Sequence, residues 1–323
     1  MPRGRERITE KENPASASLD TKSTREILRI INREDRRVAP AVAKVLPQIE
    51  QAVELVVAGL AEGGRLIYLG AGTSGRQGVL DAAECIPTFG TDRVVGIMAG
   101  APEAMFRPSE ASEDNPRQAI RDLRRIRLSR RDVLVGISAS GRTPYTVGGM
   151  RFARKLGAKT IALTSAPGTR LARLADVAIV PVVGPEVIAG STRMKAGTAQ
   201  KLVLNMLSTT SMVRLGRVFA NRMVNVQVRN RKLRERAEAI LATAGGVSAA
   251  RASRILREAG GRVPVALLML WRQVTRDQAQ RLLEEEANTA RVLRAAWAER
   301  MGAMRRGRAA ARERRPFTRR RES

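Results

Sequence analysis

The chain has 323 residues, 43% of them hydrophobic and 3% aromatic, with one cysteine (Cys85) and no histidine. Those counts exclude an intrachain disulfide, any Ser-His-Asp or Cys-His arrangement and any histidine-held metal, and they leave proton transfer to Asp, Glu, Lys, Tyr or Cys. The net charge is +28, but outside the tail it is dispersed, which argues against a dedicated nucleic-acid-binding face.

Residues 1–22 read as a polar, loosely ordered arm with no apolar segment of the signal-peptide kind. Helical spacing of apolar residues begins after Ser23, a candidate cap, with Ile27, Leu28, Ile30 and Ile31. It continues through Val38, Val42, Leu46 and Ile49 to about Leu60. Pro40 and Pro47 predict breaks or kinks in it. After Gly63-Gly64, Arg65–Leu69 reads as a buried strand. Arg93–Met98, Arg131–Ser138, Thr160–Thr164 and Val177–Val183 follow as four more. Helical stretches such as Tyr145–Leu156 separate most of them. That alternation predicts an α/β fold with a mainly parallel five-stranded sheet covered on both faces. Beyond Gly197 the pattern is helical, with amphipathic helices expected over 236–259 and 275–299 and Val263–Leu270 between them. The tail from Arg305 carries nine Arg and two Glu and is expected to be disordered. The expected organisation is therefore an arm over 1–22, N-terminal helices over 23–53, an α/β domain over 54–217, a helical region over 218–300 and a tail over 301–323. No run of about 18 apolar residues appears, so no membrane span is expected. The single cysteine fits a reducing cytoplasm.

Two turns carry the first functional signal. Gly70-Ala-Gly72-Thr73-Ser74-Gly75 follows the first strand and opens a helix. It fits G-x-G-x-x-G, yet the next strand ends Met98-Ala99-Gly100 without the carboxylate a nicotinamide cofactor would need. What it offers is two hydroxyls at a helix N-terminus, where free N–H groups favour an anion. Ser138-Ala-Ser140-Gly-Arg-Thr143-Pro144 repeats the device after the third strand. No nucleotide-binding G-x-x-x-x-G-K-[ST] occurs. Two such turns at strand C-termini predict a monophosphate site held by Thr73, Ser74, Ser138, Ser140 and Thr143. Helix capping is the alternative for each hydroxyl.

Two carboxylates stand near these turns. A helix over Gly75–Glu84 should stop before Pro87, which places Glu84 in its last turn, where the dipole disfavours a charge. Glu113 precedes Asn115-Pro116, a helix start, where ionisation is favoured. Opposite surroundings predict a protonated Glu84 as acid and an ionised Glu113 as base.

These segments resemble the N-acetylmuramic acid 6-phosphate etherases of the sugar isomerase (SIS) superfamily. The resemblance rests on Asn13–Ser16 with Leu19-Asp20, Gly70–Arg76, Gly78–Cys85, Pro87–Gly90, Glu113-Asp114, Ser138–Tyr145 and Gly184–Lys201 with Asn205–Thr209. It covers about residues 9–298. It implies a three-layer SIS-type sandwich with a helical subdomain and a homodimer. It also implies cleavage of a D-lactyl ether on a 6-phosphorylated amino sugar, with no metal or organic cofactor, because the opened aldehyde is the electron sink. Glu84 matches the family's acid and Glu113 its base. Glu186, Ser191 and Lys195 fall in the longest motif and are expected to line the pocket. Gln77, Ile86 and Ala111 depart from the usual Leu, Pro and Gly. A non-catalytic sugar-phosphate sensor resembling the glucokinase regulatory proteins, and a sugar-phosphate isomerase, are the alternatives.

Overall fold

A computed structural model describes residues 8–107, 110–228, 230–286 and 288–313. They form two compact units. One holds the described residues up to Pro87 with Thr91–Arg214. The other holds Thr88–Gly90 with the described residues from Leu215 on.

The first unit opens with three short 3-10 turns between Ile8 and Thr21. From Ile8 onward the expected loose arm is instead tied down. Buried Asn13 donates from Nδ2 to Glu34 Oε2 at 2.8 Å and to the carbonyl of Pro185 at 3.1 Å, and Ser16 Oγ reaches the carbonyl of Val187 at 2.8 Å. Its polar sequence conceals this because the partners are distant in the chain. Helices α1 (Thr24–Asp35), α2 (Val38–Ala43) and α3 (Leu46–Ala61) follow. Ser23 caps α1 in a capping box with Glu26. Pro40 and Pro47 lie in the first turns of α2 and α3, where a missing N–H costs no helical bond.

Strand β1 (Leu66–Gly70) leads into α4 (Gly72–Phe89), then β2 (Val94–Met98), a short α5 (Glu110–Glu113) and α6 (Pro116–Arg125). Next come β3 (Val133–Ile137), α7 (Pro144–Leu156), β4 (Lys159–Leu163), α8 (Arg170–Leu174), β5 (Val177–Ile179) and α9 (Lys195–Arg214). The five strands are parallel, in the order β2-β1-β3-β4-β5. All of β1 and β3 is buried, as strands covered on both faces must be. One packed layer joins Leu69, Leu134 and Ala162 of the sheet to Leu123 of α6 and to Tyr145 and Met150 of α7. The strand order reverses beside β1, so the C-terminal ends of β1 and β3 flank the crevice where open α/β sheets take ligands.

In the second unit, α10 (Arg231–Gly245), α11 (Ala249–Glu258), α12 (Val263–Arg272), α13 (Arg276–Glu285) and α14 (Thr289–Glu313) enclose their own core. Trp271 stands at its centre. Its ring lies 5.5 Å from that of Phe219 and 5.1 Å from that of Trp297, and its Nε1 donates to the carbonyl of Ala244. The helix expected over 236–259 is two helices. Gly246 takes φ +63° and Ser248 caps the second one. The disorder expected from 301 is also corrected, since α14 runs to Glu313; the rest of the Arg-rich tail lies outside the described residues.

Candidate active site

The loops after β1 and β3 wall a cavity of about 460 Å³. Thr73, Ser74, Ser138, Ser140, Thr143 and Ser191 all line it, together with Glu113.

The first wall is the turn from β1 into α4. A Cβ built on Gly70 would lie 2.8 Å from the N of Gly75, so only glycine lets strand and helix cross this closely. The helix starts at once, which brings Thr73 and Ser74 and their free N–H groups to the cavity. Ser74 Oγ also accepts a bond from Gln200 Nε2 at 3.0 Å. The second wall is the turn from β3 into α7. Ser138 Oγ lies 2.9 Å from Thr143 Oγ1 and 3.5 Å from Ser140 Oγ, and accepts from the N of Gly141 at 3.1 Å. Thr143 precedes α7 without spending its side chain on a cap. Two helix N-termini, from α4 and α7, thus face one space with five hydroxyls between them, an arrangement suited to a phosphate.

Glu113 closes a third side. A Cβ on Gly72 would sit 2.8 Å from its Oε1, so the carboxyl abuts the start of α4. Among the described residues it has no hydrogen-bond partner. The expectation that its charged form is favoured is corrected. Burial raises its pKa, Asp114 and Glu110 raise it further, and only Arg76 opposes them. The helix start at Asn115 gives it no hydrogen bond; the N of Gln118 donates instead to Asn115 Oδ1.

Glu84 is elsewhere. The expected stop before Pro87 fails: α4 runs on through Pro87 to Phe89, so Glu84 is not in its last turn. Thr88–Gly90 group with the second unit, and Phe89 is buried. That burial rewards two more helical residues despite the bond that Pro87 removes. Glu84 is exposed and does not line the cavity. It lies roughly 16 Å along α4 from Thr73, at 1.5 Å per residue. The inward face of α4 is fixed by other groups. Tyr68 OH donates to Asp81 Oδ2 at 2.9 Å, and burial pushes the Cys85 thiol up to about 12. That leaves Cys85 an inert core residue rather than a nucleophile.

Glu186 and Lys195 are corrected as pocket-lining residues. Both are buried, and neither reaches the cavity. Glu186 accepts from the backbone N of Lys195 and Ala196 at 3.0 and 2.9 Å, capping α9. Burial raises its carboxyl, and those two bonds oppose the rise. Lys195 Nζ lies 2.6 Å from Glu34 Oε2, both side chains fully buried. Burial alone would raise Glu34, but its bonds from Lys195 and Asn13 hold it below the ordinary value. Removing one partner of such a pair typically costs about 3–5 kcal/mol.

Arg76, Glu10 and Arg193 line the cavity without having been singled out from sequence. Arg76 is committed to structure, donating to the carbonyls of Met105 and Ala104. Glu10 enters because the N of Gly190 bonds the carbonyl of Thr9 at 3.1 Å. Arg193 stands inside the longest recognised motif, and that placement was the available signal.

A model of the glucokinase regulatory protein N-terminal SIS domain matches residues 37–154, and a SIS domain model matches residues 117–210. The N-acetylmuramic acid 6-phosphate etherase of Edwardsiella ictaluri (strain 93-146) is 53% identical over 279 residues, 86% of this chain and 93% of that protein. The protein of the same name from Yersinia pestis (strain Pestoides F) is 51% identical over 280 residues, 86% of this chain and 95% of that one. Among solved structures, a phosphoheptose isomerase from Neisseria gonorrhoeae is 22% identical with a TM-score of 0.45, covering 58% of this chain and 98% of its own. With 53% of the aligned positions identical across 86% of its length, the chain belongs to the N-acetylmuramic acid 6-phosphate etherase family.

Proposed function

We propose that this chain cleaves the D-lactyl ether of N-acetylmuramic acid 6-phosphate, yielding N-acetylglucosamine 6-phosphate and D-lactate. The observation that carries the reading is Glu113, a carboxylate without a hydrogen-bond partner among the described residues, in the same cavity as two hydroxyl-lined helix N-termini. The phosphate sits on the two turns, and the open-chain aldehyde acidifies the hydrogen on carbon 2. Glu113 removes that hydrogen, and the electron pair expels the lactate oxygen from carbon 3. A proton goes to that oxygen, and water then adds to the double bond, its hydroxyl to carbon 3 and a proton to carbon 2. The raised pKa of Glu113 strengthens it as a base, provided it is ionised. No residue in this sequence of events needs to hold a metal or an organic cofactor.

The proton donor is Glu84, supplied by a second copy in a homodimer. Its exposure in one chain supports that assembly, and so does Leu80, one turn earlier on α4 and 46% exposed. No helix among the described residues is long and apolar enough to cross a membrane. A phosphorylated substrate and one buried cysteine support a cytoplasmic setting.

Incubation with N-acetylmuramic acid 6-phosphate should release D-lactate, and Glu113→Gln should lower the rate about 10²–10⁴-fold, the usual contribution of a general base. Binding of the sugar phosphate without D-lactate release would make the chain a sensor instead. Conversion to a ketose would make it an isomerase.

A further inference from the structure

The proposed substrate has two anionic groups, and the hydroxyl turns account for one of them. A further wall of the cavity is the segment Gly190–Arg193, within the connection from β5 to α9. This segment is held at both ends. Gly190 takes φ +78° and bonds the carbonyl of Thr9, while the N of Gly197 bonds the carbonyl of Thr192. Immediately after Arg193, the Glu186 cap and the buried Lys195–Glu34 pair fix the start of α9. The backbone that presents Arg193 is therefore rigid, although neither anchor touches the cavity.

The two guanidinium groups that line the cavity differ in their commitments. Arg76 is spent on the carbonyls of Ala104 and Met105. Arg193 makes no hydrogen bond or ion pair with any described residue. A free guanidinium presents a planar fork that matches a carboxylate bidentately.

We infer that Arg193 receives the carboxylate of the lactyl group and makes the site selective for sugars whose lactyl acid is free. The inference rests on the etherase reading for the identity of the ligand. It adds what distinguishes that ligand from other 6-phosphorylated amino sugars, and from muramic acids whose lactyl carboxyl is amidated. Amidation removes the charge and one acceptor oxygen, so the fork loses its ionic partner.

The test compares wild type, Arg193→Gln and Arg193→Lys on N-acetylmuramic acid 6-phosphate and on its lactyl N-methylamide. Formation of N-acetylglucosamine 6-phosphate reads turnover of both. Binding of each compound, and of N-acetylglucosamine 6-phosphate itself, is measured by calorimetry; for the two lactyl compounds it is measured on a Glu113→Gln background. Wild type should prefer the acid over the amide. Arg193→Gln should lower kcat/KM and affinity for the acid about ten- to hundredfold, the value of a charge-assisted bond. It should leave the amide and N-acetylglucosamine 6-phosphate within about twofold, and Arg193→Lys should recover part of the loss. Equal losses on acid and amide, weakened binding of N-acetylglucosamine 6-phosphate, or a wild type without preference would each overturn the inference. A wild type that binds the acid in preference to the amide but turns over neither would defeat the etherase reading while leaving the role of Arg193 standing.

Discussion

Glu113 works as a base only when ionised, and its surroundings oppose that state. Burial and the neighbouring charges of Asp114 and Glu110 raise its pKa, against Arg76. The ionised fraction falls as pH drops through that raised value, so the acid limb of kcat/KM should lie above the range of an ordinary Glu. Asp114→Asn removes one negative neighbour and should move this limb to lower pH; an unmoved limb would assign it to another group. The residue types at the site were legible in the sequence, because hydroxyl-rich turns recur after two separate strands, a repetition that capping one helix does not require. Their electrostatics were not. Dipole position predicted an ionised Glu113, whereas burial, which depends on distant segments, decides the sign. Glu186 and Lys195 failed for the same reason: a long recognisable motif contains anchors as well as ligands, and spacing along the chain does not separate them.

At the scale of elements, the strand–helix alternation was readable because each parallel strand is a short apolar run bounded by breakers. The cavity followed from it, since hydroxyl-rich turns after β1 and β3 can meet only at the switch in strand order. Helix ends were less legible. Pro87 reads as a terminator, yet α4 passes it to bury Phe89. The break between α10 and α11 was present in Gly245-Gly246-Val-Ser248, a C-terminal glycine followed by a capping serine. Apolar periodicity across it masked the signal. The N-terminal arm was unreadable because its order comes from Glu34, Pro185 and Val187. The Glu34–Lys195 pair that helps fix α9 contributes at neutral pH. Since Glu34 is held below its ordinary value, that contribution is lost as pH falls through the lowered value.

At the scale of the whole molecule, one chain presents a base in its cavity and an exposed candidate acid outside it. If a second copy supplies Glu84, a mixture of inactive Glu84→Gln and Glu113→Gln chains, unfolded and refolded together, should regain activity. About half of the dimers would be mixed, each with one intact site, giving about a quarter of wild-type turnover. No recovery would confine the acid to the same chain or remove Glu84 from that role. Proton removal from carbon 2 underlies all of these steps, and isotope labelling at that carbon reads it. With wild-type protein and N-acetylmuramic acid 6-phosphate in D2O, the N-acetylglucosamine 6-phosphate formed should carry one deuterium at carbon 2. Product formed with hydrogen retained there, together with a substrate deuterated at carbon 2 that is cleaved no more slowly, would mean that the ether is cleaved without a base at carbon 2, and would contradict the account.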